Sequence, residues 1–123
     1  MKHRSTVVVL GASDKPDRYS NMAVRLLAAG GHRVIPVHPK IKSVEGIPVV
    51  PNLVLIKEPV DTLTLYLNPA MSSPMTEAIL AVKPGRVIFN PGTESEALRS
   101  ALDEHCIPWV NACTLVLLQT GRF

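Results

Sequence analysis

The chain is 123 residues long, enough for one domain with little left over for a second. Its hydrophobic content of 46% is that of a globular protein, which excludes disordered, collagen-like and coiled-coil chains. Two Phe, two Tyr and one Trp leave an aliphatic core, and the net charge of +3 is unevenly spread. Residues 1–45 carry eight basic against three acidic side chains, whereas residues 46–123 carry five against seven. The first part therefore suits an anion, with a solvated basic face as the alternative reading.

Thr6 to Leu10 is a short apolar run that reads as a strand buried on both faces, broken by Gly11-Ala12-Ser13. A polar loop follows to Ser20. From Asn21, the residues Met22, Ala23, Leu26, Leu27 and Ala29 recur at helical spacing, and Gly30-Gly31 closes the helix. Arg33 to Val37 is the second strand. Gly46 to Val50 is expected as a short edge strand, because Pro48 and Pro51 forbid a central place in a ladder. Thr62 to Leu67 alternates threonine with leucine and reads as a strand ended by Asn68-Pro69. Ser73 followed by Pro74 predicts a helix N-terminus, with the helix running through Ala78, Ile79 and Val82 to Pro84-Gly85. Arg86 to Phe89 is the next strand. Thr93 and Glu96 form a predicted capping box for a helix carrying Leu98 and Leu102. Cys106, late in that helix, is expected in the core. Ile107 to Val110 is a last short strand, and Cys113 to Leu118 reads as a terminal helix, with a strand as the alternative.

Strands alternating with helices imply right-handed crossovers and parallel pairing. The expected fold is α/β: a Rossmann-like, doubly wound, mostly parallel sheet of five or six strands with helices on both faces. It forms a single domain over residues 1–123.

No Lys/Arg run is interleaved with aromatics on which bases would stack, so nucleic acid is not expected as a partner. No apolar run approaches the roughly 18 residues of a membrane span. Lys2, His3 and Arg4 ahead of Val7 mimic the start of an export signal, but the apolar run stops at Gly11. Two cysteines, Cys106 and Cys113, are too few for a structural zinc site and point to a reducing cytoplasm. A small open sheet has edges to protect, which makes a homodimer plausible.

In such sheets ligands sit beyond the carboxyl ends of the strands. Here those ends are Gly11-Ala12-Ser13, His38-Pro39-Lys40, Asn68-Pro69 and Asn90-Pro91-Gly92. A glycine after the first strand permits a tight turn that faces backbone N–H groups towards a phosphate, although a purely structural turn accounts for it as well. Ser13 would add a hydroxyl donor and Arg18 a bidentate charged one. A dinucleotide site would carry G-x-G-x-x-G and an acidic residue after the second strand. This chain has Ser13 and Pro16 where the later glycines belong and ends its second strand in Val37-His38-Pro39-Lys40. Plain NAD is disfavoured, while Lys40 and Lys42 suit a ligand with an additional ribose phosphate, such as NADP or coenzyme A.

The stretches VVVLGASDKPDRYSNMAVRLL (7–27), HRVIPVHPK (32–40), VDTLTLYLNP (60–69), RVIFNPGTESEAL (86–98) and NACTLVLLQTG (111–121) span nearly the whole chain. Through them it resembles the small CoA-binding proteins that share a Rossmann-like domain with the N-terminal half of the succinyl-CoA synthetase alpha subunit. The resemblance implies a CoA or acyl-CoA ligand laid across the strand ends. Its diphosphate would lie on Gly11, Ala12, Ser13 and Arg18. The adenosine end would sit near Val37, His38, Pro39 and Lys40, with Lys40 and Lys42 facing the 3′-phosphate. The pantetheine arm would pass Tyr66, Leu67, Asn68 and Pro69 towards Asn90, Pro91 and Gly92. His38 stands where many relatives carry a small polar residue.

None of His3, His32, His38 and His105 lies in a stretch resembling the phosphorylated-histidine segment of the related ligases, and no Ser-His-Asp constellation is supported by spacing. Independent catalysis is not expected. Cys113 follows Asn111-Ala112 at the start of the last helix, where a thiolate is favoured, and the pantetheine thiol would end near it. A mixed disulfide there under oxidation is the functional reading, and a small core residue is the structural one. The chain therefore reads as a CoA-binding or regulatory module. An NADP-dependent reductase and a protein-interaction subunit with a vestigial pocket are the alternatives.

Overall fold

The computed structural model describes residues 4–123, so Lys2 and His3 lie outside the described residues. Seven strands and five helices follow in chain order. They are β1 (Thr6–Leu10), α1 (Tyr19–Ala29), β2 (Arg33–Val37), β3 (Ser43–Val44), β4 (Ile47–Pro48), β5 (Thr62–Leu65), α2 (Pro69–Ser72), α3 (Thr76–Val82), β6 (Arg86–Phe89), α4 (Glu96–Glu104), β7 (Trp109–Asn111) and α5 (Thr114–Gln119). Five strands form one sheet in the order β2-β1-β5-β6-β7, every pairing parallel. The Rossmann-like α/β expectation holds, with five main strands.

Alternation along the strands builds two cores. Val8, Leu10, Ile35, Val37, Leu63, Leu65, Val87 and Phe89 face one side and pack with Leu53, Ile79, Leu98 and Leu102 beneath α3 and α4. Val7, Val9 and Val34 face the other and pack with Val24 and Leu27 of α1. Strands buried on both faces explain the unbroken apolar runs of β1 and β2. From β1 the chain winds outward to β2, then returns across to β5. The topology thus switches direction between β1 and β5, which opens a crevice above their carboxyl ends.

Several boundaries differ from the sequence expectation. Residues 46–50 do not add a sixth strand to the main sheet. Ile47–Pro48 pairs antiparallel with Ser43–Val44 through a turn whose central residues, Glu45 and Gly46, both have positive φ (50° and 78°), and only Val50 bridges to Val37. Pro48 and Pro51 lack the amides that a longer ladder requires. The first helix starts two residues early, at Tyr19, and β5 stops at Leu65 because Asn68-Pro69 already begins a helix. The Asn68 Oδ1 accepts from the Met71 amide (3.1 Å), and Pro69 occupies the first turn. The expected start at Ser73 is instead a break. Pro74 cannot continue the helical ladder, so a single 3₁₀ turn, Ser73–Met75, separates α2 from α3. The cap of α4 is Ser95, whose Oγ accepts from the Leu98 amide (3.2 Å), not Thr93, whose hydroxyl donates back to the Asn90 carbonyl (2.7 Å). The last strand is Trp109–Asn111, later than expected, and Cys106 is exposed with φ 56° just past α4 rather than in the core. Among the described residues no helix is long and apolar enough to cross a membrane. No group of three or more His, Cys, Asp or Glu is arranged to hold a metal ion there.

Candidate functional site

The turn after β1 is shaped by close approach. Gly11 has φ +92°, and a Cβ on it would lie 2.9 Å from Leu67 Cδ2 and 3.1 Å from the Tyr66 carbonyl carbon. Only glycine lets β1 pass this near the end of β5. The Gly11 and Ala12 amides both donate to the Val37 carbonyl (3.2 and 3.1 Å), so they tie the turn to β2 instead of pointing at a ligand. The Ser13 Oγ accepts from the Lys15 amide (3.1 Å) and keeps its own proton to give. Arg18 stands at the cap of α1 with its side chain exposed and making no cap bond, so the guanidinium lies beside the positive end of that helix. Among the described residues the ion pair present joins Arg33 to Glu58 (3.0 Å), and Lys15, Arg18, Lys40 and Lys42 have no carboxylate partner.

At the switch point lies a cleft of about 460 Å³. Leu10 and Gly11 form one end, Val37, His38, Pro39 and Lys40 one wall, and Leu67 with Met71, Met75 and Ala78 the opposite wall. The segment Pro51 to Val54 closes the third side. The volume is in the ordinary range for a small-molecule site, and the lining is aliphatic with Lys40, His38 and Asn52 as its polar members. His38 Nδ1 accepts from the Lys40 amide (3.0 Å), which leaves Nε2 as the ring's donor atom and holds the 38–40 turn in shape. Lys42 lies at the base of the β3–β4 hairpin, its carbonyl accepting from the Val49 amide (3.0 Å).

A second polar group sits beneath the strand ends on the α1/α5 side. Asn90 is 3% exposed. Its Nδ2 donates to Thr64 Oγ1 (2.7 Å) and to the Leu65 carbonyl (2.8 Å), and its Oδ1 accepts from the Thr114 amide (2.9 Å). The Thr64 and Thr114 hydroxyls are bonded to each other at 2.8 Å. Asn90 is therefore a clamp joining β5, β6 and α5. The Tyr66 hydroxyl is buried beside this cluster without a hydrogen bond of good geometry. Burial pushes its pKa up to about 12, with the nearby Cys113 adding to the shift and the Thr114 and Thr64 hydroxyls opposing it. Cys113 caps α5 half-buried, without a side-chain bond.

The cleft thus gathers Gly11, Val37, His38, Pro39 and Lys40 from the sequence-derived site, together with Leu67. Asn90 belongs to the buried cluster with Thr64 and Thr114, and the half-buried Tyr66 and Cys113 lie beside it. Asn68 and Pro69 are engaged in starting α2, while Pro91 and Gly92 form an exposed turn in which the Gly92 amide donates to Glu94 Oε1 (3.0 Å). The wall made by Pro51 to Val54, Met71 and Met75 was not visible in the sequence. Its only signal was Asn52, which caps a 3₁₀ turn by accepting from the Val54 amide (3.1 Å).

A model of the CoA binding domain matches residues 5–119. A curated Bacillus subtilis protein, the uncharacterized YneT, is 32% identical over 66 residues, covering 54% of this chain and 49% of its own length. The chain thus spans about half the length of that relative. A solved structure of an uncharacterized protein is 42% identical, with a TM-score of 0.92 over 98% of this chain and 99% of its own. A Thermus thermophilus structure is 32% identical, with a TM-score of 0.88 over 97% and 90% of the two chains. A dinucleotide-forming acetyl-coenzyme A synthetase from Ca. Korarchaeum cryptofilum shares the fold at 15% identity, with a TM-score of 0.75 over 87% of this chain and 25% of its own.

Proposed function

The chain belongs to the CoA-binding domain family, and from that premise we propose that it binds coenzyme A or an acyl-CoA as a non-catalytic binding or regulatory module. The observation that carries the reading is the cleft at the β1/β5 switch point, apolar inside and bordered by cations that have no carboxylate partner among the described residues. The adenine ring would lie between Val37–Lys40 and the Leu53 and Met71 side. Lys40 and Lys42 would face the 3′-phosphate. The diphosphate would meet the Ser13 hydroxyl, Arg18 and the N-terminus of α1, with Gly11 and Ala12 contributing close backbone approach rather than hydrogen bonds. The pantetheine arm would then cross Tyr66 to Pro69 towards Pro91, Gly92 and Cys113, over the Asn90 clamp.

The histidines support a non-catalytic role. His32 Nδ1 accepts from the Ser5 amide (3.0 Å) and His38 Nδ1 from the Lys40 amide (3.0 Å), so each ring is used to hold backbone. The reading carries with it a reducing cytoplasm as the place of action. It also leaves β7, an edge strand with Val110 and Asn111 exposed, as the face along which two copies would pair.

The test is a comparison of CoA with dephospho-CoA. Lys40→Ala and Lys42→Ala should each weaken CoA by about 1–3 kcal/mol, the range of charge-assisted hydrogen bonds, and leave dephospho-CoA unchanged. A double variant that still prefers CoA over dephospho-CoA would remove both lysines from the assignment.

A further inference from the structure

The loop between β1 and α1 has internal bonds of its own. The Lys15 amide donates to Ser13 Oγ (3.1 Å) and the Arg18 amide to the Lys15 carbonyl (3.1 Å). Neither bond ties it to the body of α1. That tie is made by two helical residues one turn apart. Asn21, with no exposed surface, donates from Nδ2 to the Ser13 carbonyl (3.0 Å). Its Oδ1 accepts from Arg25 Nε (2.9 Å), and Arg25 Nη2 donates to the Pro16 carbonyl (2.8 Å). The spacing of four residues puts both side chains on one face of the helix.

We infer that Asn21 and Arg25 are positioning residues that lock the 13–16 loop onto the first turns of α1. The Ser13 hydroxyl, the Arg18 side chain and the α1 amides then form one preorganised anion receptor. The inference rests on the reading that the ligand's diphosphate lies on this loop. A buried amide that spends both of its ends on the tether fits that role, because unlocking it would leave polar groups unpaired in the interior. The guanidinium of Arg25 bridges Asn21 and Pro16 with two separate N–H groups, a fork that an ammonium cannot reproduce. Preorganisation raises affinity by removing the ordering cost at the moment of binding.

The experiment uses the full chain and two exposed-site variants, Arg25→Lys and Arg25→Met, with Asn21→Ala as a third. Calorimetric titration with CoA is paired with amide hydrogen exchange at Lys15 and Arg18, the two loop amides that donate hydrogen bonds, in the absence of ligand. Both Arg25 variants should lose at least ten-fold in CoA affinity and exchange the Lys15 and Arg18 amides at least ten-fold faster, while keeping the circular dichroism spectrum of the folded chain. Asn21→Ala should reproduce the faster loop exchange. Wild-type affinity in Arg25→Lys would mean that charge alone matters and would overturn the inference, as would unaltered loop exchange in either Arg25 variant. If the unmodified chain fails to bind CoA, the ligand reading falls, while the exchange data still decide whether the tether exists.

Discussion

Replacing Asn90 with alanine separates a clamp from a ligand contact. The side chain makes three hydrogen bonds in the interior, to Thr64 Oγ1, the Leu65 carbonyl and the Thr114 amide, at 2.7, 2.8 and 2.9 Å. Thr64 keeps its bond to Thr114 Oγ1 when Asn90 is truncated, so two backbone groups, the Leu65 carbonyl and the Thr114 amide, lose the bonds Asn90 gave them. At about 1–3 kcal/mol for each orphaned buried group, the variant should lose about 2–6 kcal/mol. That is a large part of the roughly 5–15 kcal/mol that holds a small domain together. Asn90→Asp should fare no better, since it keeps the acceptor for Thr114 but loses both donors and buries a charge. Equilibrium urea unfolding followed by circular dichroism measures the loss. A change below about 1 kcal/mol, with CoA affinity reduced, would show that the side chain faces the ligand and would refute the clamp.

Gly11→Ala should cost at least about 2 kcal/mol, combining a strained positive φ with a Cβ pressed against Leu67 and the Tyr66 carbonyl carbon, and urea titration should show it. Lys83 and Glu45 take positive φ (53° and 50°) at the end of α3 and in the β3–β4 turn. Glycine at either position should therefore raise stability by about 0.5–1 kcal/mol, read as a shift in urea midpoint at constant slope. Tyr66 supplies a pH dependence. Its pKa is raised from 10.0 to about 12 in the folded chain, so the unfolded chain loses that proton first as pH rises. Stability should be constant from this group below pH 10 and fall by about 2–3 kcal/mol as the pH climbs to about 12. The fall should be absent in Tyr66→Phe.

Strands β1, β2, β5 and β6 were legible because each is buried on both faces over most of its length and bounded by a turn or a helix cap. Thr6–Leu10, Arg33–Val37 and Arg86–Phe89 stand where their apolar runs do. Ambiguity arose where two capping residues compete. Asn68-Pro69 and Ser73-Pro74 carry the same start signal five residues apart, and the earlier one takes it, leaving Pro74 to break the helix. Thr93 and Ser95 compete likewise, and Ser95 prevails because Thr93 is held by the Asn90 carbonyl. The cleft wall at Pro51 to Val54 and Met71 is brought together by the turn of the chain from β2 to β5, which no local pattern encodes. The tether at Asn21 and Arg25 hides for a different reason: on a sequence it is indistinguishable from the polar face of an amphipathic helix.

Calorimetric titration of the purified chain with CoA, NADP and NAD in turn separates a CoA module from a dinucleotide enzyme. CoA should bind in the micromolar range, and NADP and NAD should not bind. Binding of NADP with no binding of CoA would contradict the CoA reading and point to a reductase.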